Sequence, residues 1–370
     1  AGPFYALHQN ASVDGGNDEL FGGSGEDKLL GGGGDDILWG GADSDWLEGQ
    51  NGNDTMYGGA WIDIMVLDTS DRYTVFGDSI DGHFGNELPG DVADDNATDI
   101  LLIEASDFDD TILLSEERTI LSDLPIVGNN LDLSGTFTLS LDGIEADITV
   151  TVSGGSLETL AFALNTAIGS SVLATQVEAV VRGENLALLT RGYGRQAPFV
   201  LTGAKGDDFS KYLFSEDVRQ NVDADPSLYT VSSADYLVVD MTNGFGTVTA
   251  MGTWRDGAHP LVEQFRVSGL GGDDIISFAA GRNAPDVQVL NDRSNDFVGV
   301  LDGGPGDDIL SGTGGRDRLD GGPGSDTIFG LGGDDRIWGD SGPGLGLPSD
   351  VDRLFAGQGN DDVIGGQGSN

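Results

Sequence analysis

The sequence predicts a mainly β protein, with a parallel β-solenoid at each end and a mixed α+β region between them. Three observations predict it. Aspartates recur every nine residues near both ends, each preceded by glycines and followed two residues later by an aliphatic side chain. Glycine contributes 61 of 370 residues, far above ordinary usage, yet 38 % of the chain is hydrophobic, so the glycines belong to something organised. Between the two arrays the pattern changes to period-two alternation broken by one helical stretch.

The first array places aspartates at 18, 27, 36, 45, 54 and 63 without a slip in phase. Gly22-Gly23-Ser24-Gly25-Glu26-Asp27-Lys28-Leu29-Leu30 runs directly into Gly31-Gly32-Gly33-Gly34-Asp35-Asp36-Ile37-Leu38-Trp39. Glycines admit a tight turn with positive φ and let carbonyls converge where a Cβ would intrude. The three residues after each aspartate suit a short strand whose middle side chain points inward, since side chains alternate across a strand. That inward place holds Leu20, Leu29, Leu38, Leu47 and Met56, then Leu310, Leu319, Ile328, Ile337, Leu354 and Val363 in the second array. One unit cannot bury its leucine alone, so units must stack into a solenoid with their turns aligned along its edges. A flexible glycine-rich linker would account for the composition but not for the double register of aspartate and aliphatic.

The second array begins with an isolated copy at Gly269 to Ser277 and continues from Gly303-Gly304-Pro305-Gly306-Asp307-Asp308 through aspartates 317, 326 and 335. After an insertion at about 340–349 it resumes at Asp352 and Asp361. The domains read from these limits are 1–66, 67–268 and 269–370.

Rows of aspartates along a solenoid edge repel unless neutralised. A charged oxygen from each aspartate and neutral oxygens from glycine carbonyls suit Ca2+, which takes 6–8 oxygen ligands. The expected ligands are Asp18, Asp27, Asp36, Asp45, Asp54, Asp274, Asp308, Asp317, Asp326, Asp335, Asp352 and Asp361, with Gly22, Gly31, Gly303, Gly312, Gly321 and Gly330 supplying backbone. These residues resemble the RTX (repeats-in-toxin) family of calcium-binding nonapeptide repeats over roughly residues 13–66 and 301–368. The resemblance implies a parallel β-roll, folding on calcium outside the cell, and unfolded export by a one-step bacterial route. Two units depart from the pattern. Asp43 stands where glycine is expected, and Gly58-Gly59-Ala60-Trp61-Ile62-Asp63 lacks a fourth-place glycine, which argues against a full site at Asp63. Arg316, Arg318 and Arg336 flank the aspartates of the second array, where they suit solvated faces that offset charge.

In the middle region Thr136-Phe137-Thr138-Leu139-Ser140-Leu141 alternates, Asp142-Gly143 is a hairpin turn, and Ile148 to Val152 pairs back. Ser156 caps a predicted helix with Leu157, Leu160, Ala161, Leu164 and Ile168 on one face. Val177 to Arg182 and Leu186 to Thr190 form a second hairpin. This ββαββ unit, about residues 134–190, resembles the hook IN-type modules of flagellar and other bacterial surface proteins, which implies a structural role. Asp99 to Ile103 and Tyr236 to Asp240 read as buried strands, and Gln264 to Val267 leads back into the repeats.

With 17 Lys+Arg against 63 Asp+Glu, a net charge of −46 repels nucleic acid and anionic lipid. No apolar run approaches a membrane span, so neither nucleic-acid binding nor membrane insertion is expected. The absence of cysteine excludes disulfides, thiolate zinc sites and cysteine nucleophiles. Ala1-Gly2-Pro3 is neither an initiator methionine nor a signal peptide, and the chain stops partway through a repeat, so a processed form or fragment is expected.

Three fragments invite a catalytic reading. Gly77-Asp78-Ser79 and Asp256-Gly257-Ala258-His259 resemble the two ends of a GDS-type (SGNH) esterase, with Ser79, Asp256 and His259 as triad, but the helices that fold requires between them are not evident. Gly339-Asp340-Ser341-Gly342 matches a protease nucleophile loop without its partners, and Asp107-Phe108-Asp109-Asp110, which could bind an ion or act as paired acids, reads rather as a solvated turn. His8, His83 and His259 form no HExxH helix. The sequence therefore predicts a non-enzymatic, extracellular or cell-surface scaffold or adhesin-type segment of a larger bacterial protein. Its expected partners are calcium, and either itself as homo-oligomer or filament, or a surface glycan or protein. The alternatives are a secreted SGNH-like hydrolase that uses the repeats as a folding aid, and a self-associating filament or surface-layer subunit.

Overall fold

The computed structural model describes residues 7–9, 16–52, 54–68, 73–77, 100–122, 131–182, 185–190, 198–204, 206–209, 227–243, 246–253, 255–256, 259–260, 264–279, 297–340 and 347–366. Two compact units contain them: residues 1–115, 237–279 and 284–370 form the first, and 116–236 with 280–283 the second. The boundaries read from the sequence follow where the nonapeptide stops and resumes; these units follow strand pairing.

In the first unit the nonapeptide strands pair in parallel with the next strand but one, eighteen residues later where the repeats run without interruption and farther on, as by 34 or 26 residues, across the breaks. Leu20 lies beside Leu38 and Leu38 beside Met56 in one sheet, while Leu29 lies beside Leu47 and Leu47 beside Met65 in the other. Two nonapeptides therefore make one layer, and consecutive repeats alternate between sheets. The reason lies in the nine-residue length: a strand of six residues in the first array, or three in the second, and the turn that completes the nine reverse the chain once, so the next strand faces the last instead of joining it.

The two arrays share both sheets. Ile64–Asp68 pairs with Ile100–Glu104, which pairs with Gln264–Ser268, which pairs with Gly299–Asp302 at the head of the second array. In the other sheet Thr111–Leu121 pairs in parallel with Ile275–Phe278, which leads on to Ile309–Ser311, Thr327–Phe329 and Arg353–Phe355. One continuous core results, from Leu20 through Met65, Leu101 and Phe265 to Ile337. Leu29, Leu38, Leu47, Met56, Leu310, Leu319, Ile328 and Ile337 are all wholly buried in it. The strands that bridge the arrays carry no nonapeptide signature, only inward apolar side chains, which is all the core requires of them.

The second unit contains the expected ββαββ order. Leu131–Leu141 and Ile144–Gly155 form a hairpin across Asp142 (φ 50°) and Gly143 (φ 78°), the left-handed pair that a two-residue turn needs. Ser156 caps the helix Leu157–Ile168 through a capping box with Thr159. Asn165 ties that helix to the next hairpin by accepting from Ala179 N–H (2.8 Å) and donating to Ala179 O (2.7 Å). Phe199–Ala204 and Leu228–Ser232 complete a four-stranded antiparallel sheet. Phe137 meets Phe209 edge-on at 4.8 Å in its core.

Candidate metal-binding turns

Each nonapeptide turn ends in an aspartate whose two oxygens have different surroundings. Oδ1 accepts the backbone N–H of the aspartate one layer earlier. On one edge Asp18 N–H donates to Asp36 (2.7 Å) and Asp36 N–H to Asp54 (2.9 Å); on the other Asp27 donates to Asp45 (2.8 Å) and Asp45 to Asp63 (2.7 Å). The second array repeats the ladder from Asp274 to Asp308 (2.8 Å) to Asp326 (2.9 Å) to Asp352 (3.2 Å), and from Asp317 to Asp335 (2.9 Å) to Asp361 (3.0 Å).

Oδ2 is the chemically informative atom. In Asp36, Asp45, Asp274, Asp308, Asp326, Asp335 and Asp352 it is buried and accepts no hydrogen bond. It faces another acceptor. A Cβ built on Gly40 would fall 2.6 Å from Asp45 Oδ2 and beside Gly58 O; one built on Gly339 would lie 2.6 Å from Gly365 O and beside Asp352 Oδ2. The same convergence of carboxylate and carbonyl oxygen occurs at Gly22, Gly31, Gly269, Gly303, Gly321 and Gly330. Buried acceptors facing one another without a donor are unfavourable unless a cation lies between them. Among the described residues no three acidic or histidine side chains converge. A cation here draws most of its oxygens from the backbone, which suits the hard, oxygen-seeking Ca2+ and not a nitrogen- or sulfur-seeking metal.

The electrostatics agree. Burial pushes the carboxyls of Asp45, Asp308 and Asp335 up to about 7, Asp326 to about 8 and Asp274 to about 6, and raises Asp36 and Asp352. Donation from the N–H of the preceding layer opposes the shift, and the charge of neighbouring aspartates adds to it. Without a cation these groups hold protons that ordinary carboxyls release.

A parallel solenoid with such turns belongs to the class of cation-loaded β-rolls. A sequence profile for the RTX calcium-binding nonapeptide repeat (four copies) matches residues 12–47, 30–63, 300–319, 311–344 and 349–370, about a third of the chain. Both arrays are thus RTX repeats, and Ca2+ is their cofactor. Comparison with curated proteins and with solved structures gives no match. The matched segments lie outside 134–190, so the hook IN resemblance receives no support from them.

The structure brings the expected aspartates together in ladders, with Asp18 and Asp361 half-buried at the ends. Gly303 and Gly321 present carbonyls to the layer before, and Gly22 and Gly31 wall their cradles by lacking a Cβ. Gly330 presents its carbonyl to the Thr313 turn, where a Cβ on Gly312 would lie 2.5 Å from Asp317 Oδ2 and 3.1 Å from Gly330 O. The carbonyls of Gly40, Gly58, Gly339 and Gly365 belong to the same set and were legible from their first place in the repeat. Asp63, expected to lack a full site, joins its ladder because Trp61 takes the left-handed conformation (φ 87°) in place of glycine, as Asp43 does (φ 75°) one unit earlier. Residues 107–109 are exposed, as a solvated turn requires, but Asp110 is not part of that solvated face. It is 2 % exposed, and its N–H donates to Asp274 Oδ1 (2.8 Å), one layer ahead of the second array. The arginines stack on rings: Arg316 lies 4.5 Å from Phe297 and Arg318 5.2 Å from Trp338. Ser79, Ser341 and His83 lie outside the described residues. Asp256 and His259 are opposite each other on a two-stranded ribbon, described as backbone alone.

Proposed function

We propose that the chain is a calcium-rigidified structural element of a secreted bacterial RTX-type protein, working outside the cell as a scaffold or adhesin-type segment and not as an enzyme. The observation that carries this reading is the succession of buried, donor-less Oδ2 atoms facing carbonyl oxygens, layer after layer, in a core built by the same turns. Such a roll is held apart by its own charge until calcium enters and is cross-linked once it has, so folding and metal binding are one equilibrium. Abundant extracellular calcium and scarce cytosolic calcium would keep the chain unfolded for export and rigid afterwards. Any further partner, a surface glycan or protein or a second copy, would meet this rigid frame.

The test is a calcium titration of EGTA-stripped protein followed by far-UV circular dichroism across about 10⁻⁴ to 10⁻³ M, the range of extracellular modules. A cooperative gain of β signal is expected. A chain already fully folded without calcium, and unmoved by it, would refute the proposal. Hydrolysis of a short-chain chromogenic ester that disappears in Ser79→Ala would refute the non-enzymatic part.

A further inference from the structure

Among the described turns, two close on their aspartate through a side-chain hydroxyl in the same way. In the turn Gly312 to Asp317 the second place is Thr313. Its N–H donates to Asp317 Oδ2 (2.6 Å), its hydroxyl reaches the same oxygen (3.0 Å), and that hydroxyl accepts Gly315 N–H (3.0 Å). In the turn Ala105 to Asp110 the second place is Ser106. Its N–H donates to Asp110 Oδ2 (2.8 Å), its hydroxyl to the same oxygen (2.6 Å), and the hydroxyl accepts Phe108 N–H (3.3 Å). The three-bond pattern is the same in both, 207 residues apart. In Asp36, Asp45, Asp274, Asp308, Asp326, Asp335 and Asp352 Oδ2 is the oxygen without a donor; here it has two. Asp317 Oδ1 is also satisfied, by Gly299 N–H (2.8 Å), whereas Asp110 Oδ1 accepts nothing.

The backbone supplies an independent observation. Among the other described turns the second residue is left-handed, as at Gly32 (φ 112°), Gly304 (92°), Gly322 (93°) and even Leu270 (65°) and Leu331 (72°); the exception is Asp340, where the chain leaves the repeat for the insertion. A leucine resists that conformation, so the turn that faces the cation demands it. Ser106 and Thr313 are not among the described residues with positive φ. A β-branched threonine resists it most. In the turn Ala105 to Asp110 the first place also carries a methyl group, as it does at Ala356, where most turns have glycine.

We propose that these two turns are closed by their own hydroxyls and hold no calcium, and that they head the two aspartate ladders of the second array as metal-independent layers. Two donors on Oδ2 occupy its lone pairs and bring positive partial charge to the place a cation would take. Each lies at the start of its ladder. Asp110 precedes Asp274, and Gly299 fills the place an aspartate would take before Asp317. The calcium-dependent turns then stack on a layer whose carboxylate is already neutralised by hydrogen bonds.

This inference rests on the calcium reading above and is tested separately from it by counting bound Ca2+ per folded chain, using equilibrium dialysis with metal analysis. Asp317→Asn is expected to leave the wild-type count unchanged, whereas Asp326→Asn lowers it. Thr313→Gly restores the left-handed turn, removes the hydroxyl and is expected to raise the count by one. The paired change Ala105→Gly with Ser106→Gly does the same at the other turn, so the inference stays testable if one variant fails to fold. A lower count in Asp317→Asn, or no gain in either conversion, overturns the inference. A wild-type count of zero overturns the calcium reading and this inference with it.

Discussion

Replacing Asp326 by Asn should stabilise the calcium-free roll and destabilise the calcium-loaded one. Asp326 is wholly buried; its Oδ1 accepts Asp308 N–H, and its Oδ2 faces the first-place glycines of its own layer and the next. An amide keeps the Oδ1 acceptor and turns NH2 toward Gly339 O, so a clash of acceptors becomes a donor facing an acceptor. Burial pushes this carboxyl up to about 8 from an ordinary 3.8. At about pH 7 the cost of keeping it in the metal-free fold is then on the order of 4 kcal/mol, from ~3 pH units at ~1.4 kcal/mol each. The amide removes that cost. In saturating calcium the sign reverses, because a charged ligand is lost. A loss of at least about tenfold in affinity is expected, ~1.4 kcal/mol, shared with neighbouring sites through the N–H ladder. Urea unfolding followed by circular dichroism, once in EGTA and once in calcium, reads both signs. A variant that is destabilised in EGTA, or unchanged in both conditions, would refute the account of Oδ2 as a donor-less atom awaiting a cation.

Other consequences follow from the same geometry. Because Asp308 and Asp335 rise to about 7 and Asp274 to about 6, the stability these carboxyls allow the metal-free roll is complete below about pH 4 and lost as pH climbs through those values. In EGTA the β signal should therefore be larger at about pH 5 than at about pH 8, and calcium added near neutrality should release protons measurable in weakly buffered solution. Leu47→Ala empties a wholly buried place between Leu29 and Met65 and should cost about 3 kcal/mol in calcium, read from the denaturation midpoint. Leu331→Gly removes a side chain that is half exposed in a left-handed turn (φ 72°) and should stabilise the calcium-loaded roll by up to about 1 kcal/mol, whereas Leu319→Gly, at an inward strand position, should be severely destabilising. Ser156→Ala removes the helix cap of the second unit and should cost about 1 kcal/mol equally in EGTA and in calcium, since that helix belongs to a different compact unit from the aspartate ladders.

The repeats were legible because each residue type does one job at a fixed place. An aspartate that must meet the N–H of another aspartate a layer away tolerates no slip, and neither does the leucine that must point into the core. The hairpin at Asp142-Gly143 and the cap at Ser156 were legible for a similar reason, since local chemistry alone specifies them. The bridging strands were legible only as apolar segments. Nothing in Ile100 to Glu104 or Gln264 to Ser268 states that they pair with each other, the one joining the first array and the other the second, because parallel partners 164 residues apart leave no local mark. Asp110 was missed for a different reason. Its turn keeps the aspartate and the inward Ile112 but replaces the glycines by Ala105, Ser106 and Phe108, so a search for glycine could not find it.

That replacement shows what the glycines are for. The N–H ladder needs only an aspartate in register, and it runs unbroken from Asp110 through turns with very different residues at the first, second and fourth places. In the turns of Asp36, Asp45, Asp274, Asp308, Asp326 and Asp335 the second place is left-handed and Oδ2 lacks a donor; where Ser106 or Thr313 supplies one, that conformation is gone. The two halves of each carboxylate thus divide the work. Oδ1 sets the register of the roll through a bond that needs no metal, and Oδ2 leaves the roll incomplete until a cation arrives. A sequence can change the second without disturbing the first, and the ladder fixes in advance where each ion enters.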